Sequence, residues 1–599
     1  MSPENVSPRP SRRITNRIVW ALAALVAVVL GFYAQTRAFA WDEGWHLLAA
    51  QSINRGKRPY LDFCYSQTPL NAYWNAGWMR LFGGTWHTPH AAAGAMTALA
   101  VLLIAGYLLR RFPEQGWRAP AAAFAVCGFG LNIMVVEFGT IGQAYALCLF
   151  LIVSAFLFTV AAVDREAPWF PAAAGLAAGA AANCSLLTAP VAPVLLVWML
   201  FCNRAGNRWA KLGAFAAGGA VACAPLAWLY AQGPRQAIFN ILHYNLLYRQ
   251  RQWEGALAHN FGEWFAWVSA PQALMLGGLA LAGLVFIRRR SGWEPAPRRE
   301  FYLCAWLALA LMAHISTATP TFRRYYLLAV PFVAVLACAG LFDVGSRLGS
   351  RDRPWGPVLI VSLLTGACLT KTLIEDREDF SWYDVKPIAA KVNQVTPPQA
   401  MLFADEPTYF VSRHVPPPGM ELEDSHKLDF PPAVARDLHV MPQAVVDRQL
   451  KAGVFDTVEI SDDDERIDKL GLRKMYAHAE KVGDYDVFWG KPAAQRNSPP
   501  PGMQCPQRTL VLFERGPHWD KAAQVAPRHL AYVLQQMKSG KILSAGPTEA
   551  GAQPAAAMVF AAGDWSLVQA ILGVEPFTHE GVLKIASHNV WSACEAAQP

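Results

Sequence analysis

The sequence predicts a polytopic α-helical membrane protein of about eleven spans, followed by a small α/β domain outside the membrane and a ferredoxin-like α+β domain at the end. Two observations carry this. The 599 residues are 54% hydrophobic and only 16% charged, too apolar for an ordinary soluble enzyme. The apolar character is also confined. Up to about residue 372 long apolar runs alternate with short basic clusters, whereas residues 376–599 mix charge, proline and strand-like runs.

Candidate spans, each about 17 to 22 residues as a hydrocarbon core of about 30 Å requires, begin near Ile18, His90, Pro120, Ile141, Trp169, Leu187, Ala210, Pro271, Phe301, Tyr325 and Pro357. Basic clusters precede the first span (Arg12, Arg13, Arg17) and follow the second (Arg110, Arg111, Arg118), the sixth (Arg204, Arg208, Lys211), the eighth (Arg288 to Arg299) and the tenth (Arg347, Arg351, Arg353). With eleven spans all of them fall on one side, which the positive-inside rule makes the cytoplasm. The loops 39–89 and 232–270, and everything after 372, then lie outside. Residues 1–17, rich in Pro, Ser and Arg, read as a disordered cytoplasmic tail. The first span reads as retained, because Ile18–Ala34 is longer than a signal core; cleavage after Ala38-Phe39-Ala40 is the alternative. The expected domains are 18–375 in the membrane, 376–495 as the α/β unit, 496–504 as a stiff proline linker and 505–599 as the last unit.

The stretch Trp41-Asp42-Glu43-Gly44-Trp45-His46 stands where the chain leaves the bilayer. Carboxylates there are costly to desolvate, so the pair reads as a site; the plainer reading has both acids facing water at the end of a span. Downstream, Trp45, Leu47, Leu48, Ala50 and Ile53 suit the membrane side of an interfacial helix, and Leu70, Tyr73, Trp74, Trp78 and Leu81 suit a second. Two further outer segments carry cations. Arg235, His243, Arg249 and Arg251 interleave with aromatics in 232–270, a composition that fits sugar-phosphate contact and lipid headgroups equally. Arg323 and Arg324 occupy a short outer turn against the inside bias, which suggests a local anionic partner.

Asp42-Glu43, Pro59-Tyr60-x-Asp62-Phe63, Pro69-Leu70 and Arg323-Arg324-Tyr325-Tyr326-Leu327-x-x-x-Pro331 together resemble the membrane glycosyltransferases of the GT-C type, the group containing the protein mannosyltransferases and the aminoarabinose transferase of lipid A. The resemblance covers roughly residues 15 to 375. It implies a glycosyltransferase of the plasma membrane that moves a sugar, with inversion, from a polyprenyl-phosphate donor to a glycan, lipid or protein acceptor at the outer face. Asp42 would be the base, and Glu43 would share that role or bind a divalent metal ion. Glu137 would be a supporting acid or metal ligand, and Arg323 or Arg324, with Tyr325, would grip the donor phosphate; from its own segment's composition, Arg249 is expected as a further donor contact, with a lipid headgroup as the equal alternative. Where the aminoarabinose transferases read Glu-Lys-Pro-Pro, this chain has Gln67-Thr68-Pro69-Leu70. That departure puts a metal or donor contact at Gln67 in doubt and points away from lipid A.

In the α/β unit, Val385–Gln394 and Pro442–Gly453 read as helices and Ala400–Ala404, Phe455–Ile460 and Tyr485–Trp489 as strands, and Pro407–Arg413 resembles a turn of the outer soluble domain in which many GT-C enzymes end. No catalytic constellation stands out there. The last unit reads βαββαβ. Its Arg528-His529-Leu530-Ala531-Tyr532, Gly540-Lys541, Ala545-Gly546-Pro547 and Glu575-Pro576-Phe577 resemble the YCII-related family over about 508–592. That implies a binding or dimerising module with His529 and Glu575 at its site, the family's Asp lengthened to Glu; a satisfied core imidazole is the plain alternative for His529. Cys505 and Cys594 bracket this unit, and the start of the first strand and the end of the last lie side by side in a ferredoxin-like sheet, so a disulfide is expected between them. The other nine of the eleven cysteines are scattered singly through the apolar half.

No phosphate loop, nucleophile elbow or metal cluster is present, and the +8 charge is largely arginine on the cytoplasmic side, so nucleic acid is not implied. A transporter or flippase of a lipid-linked substrate is the main rival; it would more naturally show breaks in mid-span and internal repeats. An assembly scaffold that recruits a partner through its last domain is the third reading.

Overall fold

The computed structural model describes residues 12–248, 255–289, 293–348, 353–490, 503–504, 506–548, 555–592 and 595–596. The chain forms two compact units, Met1–Asp447 with Phe455–Gly490, and Arg448–Val454 with Lys491–Pro599. The α/β layer expected as a separate domain thus belongs to the first unit.

That unit begins with α1 (Arg12–Thr36), α2 (Glu43–Asn54), α3 (Leu70–Phe82), α4 (His87–Arg111), α5 (Arg118–Gly130), α6 (Ile133–Phe138), α7 (Tyr145–Asp164), α8 (Trp169–Cys184), α9 (Val191–Cys202) and α10 (Arg208–Gln232). Among the described residues seven helices are long and apolar enough to cross a membrane: Arg13–Thr36, His87–Arg111, Tyr145–Asp164, Arg208–Gln232, Pro271–Arg289, Arg323–Arg347 and the run that starts at Trp355. The chain is a multi-pass membrane protein. A helix stands at all eleven expected places, but α5, α8 and α9 have 13, 16 and 12 residues, short of the roughly 20 that span a bilayer. In α5 every residue from Ala119 to Gly130 is buried, so protein rather than lipid surrounds it.

The two interfacial helices form, with one difference. The face of α2 expected against the membrane is covered by protein. Leu47 and Ala50 pack with Trp382, Val385 and Phe410, and Leu48 packs with Val392 and Tyr409. An apolar stripe reports only that water is excluded, and here the α/β layer excludes it. Gly44 makes that docking possible: a Cβ there would stand 2.7 Å from the Pro407 ring. On α3 the end is open, with Leu81 75% and Phe82 67% exposed. The 232–270 segment is helical rather than looped, with Pro234–Ile238, a π-helix Phe239–Tyr248 and Ala256–Ser269; Arg249 and Arg251 lie outside the described residues.

In the α/β layer, β1 (Leu402–Phe403), β2 (Thr457–Ser461), β3 (His478–Val482) and β4 (Tyr485–Trp489) lie in the order β1-β2-β4-β3. β1 runs parallel to β2 and the other pairs are antiparallel. The Trp382–Val395 helix starts in a capping box between Ser381 and Asp384. The expected turn at Pro407 is a helix, Glu406–Ser412.

The second unit holds β6 (Gln507–Arg515), β7 (Ile542–Pro547), β8 (Ala556–Phe560) and β9 (Leu583–Ser592), with helices Ala522–Lys538 and Trp565–Leu572 between them. The sheet order is β7-β8-β6-β9, antiparallel throughout, over a core of Val511, Phe513, Val533, Met558 and Phe560. Two short flanking strands, β5 (Met503–Gln504) and β10 (Glu595–Ala596), pair antiparallel. Cys505 and Cys594 lie outside the described residues.

Candidate active site

Asp42 caps α2 just after α1 ends, and its carboxylate pairs with the Arg324 guanidinium. The two residues are 282 positions apart. Arg324 stands in an aromatic collar, its guanidinium carbon 4.6 Å from the Phe322 ring centre, 5.8 Å from Phe138 and 5.9 Å from Tyr325. The ring faces favour the cation, while the Asp42 side chain stays 45% exposed. The Arg324 Nε is buried and has no hydrogen-bond acceptor. A buried guanidinium with an unused donor is rare enough to need a reason.

The turn that carries Arg324 is held from outside. On the Ala256–Ser269 helix, Asn260 accepts from Thr321 N at 2.9 Å and donates to Ala318 O at 2.8 Å, His259 bonds Thr321 O at 3.0 Å, and Glu263 accepts from Arg323 N at 2.7 Å. His259 and Asn260, in the segment whose composition fits sugar-phosphate contact and lipid headgroups equally, hold the arginine turn together with Glu263.

The two arginines divide the two acids. Arg324 takes Asp42, while exposed Arg323 faces Glu137 and Asp376. Glu137, on the short helix α6, has its carboxyl pushed up to about 8 by burial and by the charge of Asp376, against the pull of Arg323. It therefore keeps a proton at neutral pH. Its partners are those residues, so the fold holds an Asp42–Arg324 pair and, apart from it, a Glu137–Asp376 cluster.

Glu43, expected beside Asp42 as a second base or metal ligand, is fully buried and fully engaged. Oε1 meets His90 Nε2 at 2.7 Å and Gly142 N at 2.5 Å; Oε2 accepts from Trp382 Nε1 at 3.0 Å. His90 Nδ1 lies 2.6 Å from Ala34 O. A carbonyl only accepts, so Nδ1 carries a proton, and the Nε2–Oε1 contact shares another. Glu43 thereby ties together α1, α2, α4, the turn before α7 and the α/β layer. Gly142 closes the knot: its carbonyl accepts from Asn71 and Asn75 at 3.0 and 2.6 Å, and a Cβ would sit 2.9 Å from Glu43 Oε1. Three residues on, Tyr145 opens α7 beside Arg324.

The Pro59–Phe63 motif is a tight turn, with Tyr60 at φ 71°, Tyr60 N bonded to Phe63 O, and Arg58 paired to Asp62. It presents Gln67, whose carbonyl accepts from Tyr60 Oη at 2.5 Å while its own side-chain Oε1 is buried without a partner. Gln143 Nε2 is in the same state. Arg324, Gln67 and Gln143 thus each keep a buried polar atom unspent. His46, one turn beyond Asp42, was not singled out in the sequence. It is buried, bonds Tyr65 Oη at 3.1 Å and is held neutral, its pKa driven down to about 3 by burial and by Arg324. Its signal was the four-residue spacing from Asp42.

Above Asp42 lies a cavity of about 270 Å³ lined by Trp41, Asp42, Trp45, Asp405, Glu406, Leu422, Glu423, Asp424 and Tyr485. Besides Asp42, its acids come from two separate elements of the α/β layer and could not be read together from the chain. Asp405 accepts from Tyr485 Oη at 3.0 Å, and its carboxyl is raised to about 7 by burial and by Glu423. Glu406 and Glu459 are pushed well above the usual carboxylate range by burial and by their acidic neighbours. Trp41 stacks on Phe380 at 4.8 Å and forms an aromatic wall. Among the described residues no group of three or more His, Cys, Asp or Glu is placed to hold a metal ion.

In the second unit, His529 Nδ1 is 2.5 Å from Glu575 Oε1, and the imidazole stacks on Phe577 at 3.9 Å. Glu575 is fully buried and caps the next helix through Phe577 N and Thr578 N. Burial opposes its charge, but the bonds from His529, Phe577 and Thr578 outweigh it and lower its pKa.

No family model matches the chain, and no curated protein matches it. Solved structures do. ArnT from Cupriavidus metallidurans bound to undecaprenyl phosphate is similar at TM-score 0.58 and 16% identity, covering 81% of this chain and 99% of that one. ArnT in the apo state gives TM-score 0.58 at 15% identity, with coverage of 81% and 99%. The Archaeoglobus fulgidus oligosaccharyltransferase in complex with Zn and sulfate gives 0.45 at 14%, with coverage of 96% and 98%. The chain has a membrane fold of the GT-C type. Within that class it is similar to ArnT in the arrangement of its helices, at an identity that establishes fold alone.

Proposed function

We propose that the protein is a membrane glycosyltransferase that transfers a sugar from a polyprenyl-phosphate donor to an acceptor hydroxyl or amine. In this reading the plasma membrane holds the helical body, the amino terminus is cytoplasmic, and the α/β layer with the Asp42 cavity faces outward. The observation that carries it is the Asp42–Arg324 pair at the base of an open cavity, with one guanidinium donor unspent.

In the resting pair the Asp42 carboxylate is engaged by the Arg324 guanidinium. A donor phosphate, a phosphodiester with one negative charge spread over two free oxygens, competes for the guanidinium through Nε and draws it from Asp42, and the second charge that develops as the carrier leaves strengthens that hold. Asp42 then takes the proton of the acceptor as the acceptor attacks the anomeric carbon. The bond from that carbon to phosphate breaks, the electron pair leaves with the carrier phosphate, and Arg324 stabilises it. Attack opposite the leaving group inverts the anomeric centre. The acceptor enters through the acidic cavity, while Gln67, Gln143 and Tyr325 contact the donor. Glu137 stays protonated and holds Asp376 and Arg323 in place. Glu43 positions the parts without touching substrate. The second unit, with a ferredoxin-like fold and a His529–Glu575 site, serves binding or dimerisation.

The test is purified protein in lipid with a panel of polyprenyl-phosphate sugars, following release of the carrier phosphate. The proposal expects release with one donor and its loss in Asp42→Asn. Undiminished turnover in that variant removes Asp42 from the mechanism, and movement of an intact donor across the bilayer without release supports a flippase instead.

A further inference from the structure

At the opposite end of α1, α4 and α7 from Asp42 lies a second groove, of about 480 Å³. Its walls are Trp20, Leu99, Leu103, Gly106, Leu157 and Val160. They are not closed off by protein, since Trp20 is 43% and Leu99 40% exposed on the flank of the helical body. From Leu99 to Arg110 along α4 the groove runs about 16 Å at 1.5 Å per residue, the depth of one leaflet of a core of about 30 Å.

Arginines stand at one end only, where α4 finishes and α7 turns into the next connection. Arg111 is consumed there: it bonds Asp164 at 2.7 Å and pairs with Glu300, and Asp164 also takes Arg204 at 3.4 Å. Two other arginines line the same rim. Arg110 makes no ion pair among the described residues, and Arg165 lies over the Phe170 ring at 4.7 Å rather than on a carboxylate. The one acid of the lining, Asp164, is already shared by two arginines. The rim therefore keeps two uncompensated positive charges at the depth of a headgroup, above an apolar channel as long as one acyl chain.

We propose that this groove binds one anionic phospholipid, its acyl chain along α4 and its phosphate between Arg110 and Arg165. A zwitterionic lipid would bring an ammonium into the same cationic rim, so the site selects negative headgroups. The site is independent of the glycosyl-transfer reading and lies at the far end of the helices from its residues.

The experiment is native mass spectrometry of the full chain titrated with phosphatidylglycerol and phosphatidylethanolamine of the same chain length. One phosphatidylglycerol should be retained about tenfold more strongly, as two interfacial arginines predict. Arg110→Ala with Arg165→Ala should erase that preference while leaving the lipid-free thermal midpoint unchanged. Gly106→Leu should weaken both lipids, because its side chain, starting 3.7 Å from the Trp20 ring edge, enters the groove without touching the arginines. Equal retention of the two phospholipids, an unchanged preference in the double arginine variant, or displacement of phosphatidylglycerol by equimolar undecaprenyl phosphate would each overturn the proposal.

Discussion

Two ends of the helical body each bury an arginine against carboxylates, and they do it differently. At one end Arg111 bonds Glu300 and Asp164, Tyr107 donates to Glu300 at 3.1 Å, and Arg204 completes the set. Nearby, Lys211 Nζ is met by Ala162 O, Asn203 Oδ1 and Ala205 O. At the other end Arg324 meets one carboxylate and keeps Nε unspent, and its partner Asp42 lines an open cavity. A charge with all its bonds made is a fastener, whereas one left short is available to a ligand.

The largest expected effect follows from removing the available acid. Asp42→Asn should lower sugar transfer by about 10² to 10⁴ fold with an unchanged thermal midpoint, measured as carrier phosphate released per mole of folded protein. The fastener should behave in the opposite sense. Glu300→Ala leaves Arg111 partly unpaired and should lower stability by about 3 kcal/mol, seen as a drop in thermal midpoint, with turnover per folded molecule retained. If both variants lost activity and stability together, the contrast between the ends would fail.

Arg324→Lys sharpens the same contrast, because an ammonium keeps the charge but loses the fork. Transfer should fall about 10 to 100 fold, largely in donor KM, whereas Arg323→Lys should change it by less than about threefold.

A smaller effect should appear with pH. Glu137 holds its proton in the fold up to about 8, whereas an unfolded glutamate loses it near 4.5. Stability should therefore fall as pH rises from about 4.5 to 8 and level off above, because over that window the folded state binds more protons than the unfolded one. Asp405, raised to about 7, adds a fall that ends nearer 7. Glu137→Gln should remove the part between 7 and 8 and make the fall below 7 shallower, leaving there the share of Asp405, as read from thermal midpoints across a pH series.

Much of this was legible in the chain. Length and apolarity announced the helices, and the position of Asp42 after α1, with the Arg323-Arg324 turn, marked the site residues that the fold brings into contact. What stayed hidden has physical causes. An apolar stripe on α2 looks the same whether lipid or protein covers it, so the docking of the Trp382–Val395 helix could not be read. Glu43 and Asp42 are neighbours in sequence, yet the helix turn sends one into a knot with Gly142, 99 residues away, and the other into the cavity. The acids Asp405, Glu406, Glu423 and Glu459 come from different elements and meet only in three dimensions. β3, exposed along His478–Lys481, lacks the alternation that betrays a strand.

The central claim is that donor phosphate and Asp42 compete for one guanidinium, and the binding of undecaprenyl phosphate tests it most directly. Measured on purified protein, Asp42→Asn should bind the carrier more tightly than the unaltered protein although it cannot turn over, and Arg324→Gln should bind it much more weakly. Weaker or equal binding in Asp42→Asn would show that the two do not share Arg324 and would contradict the account.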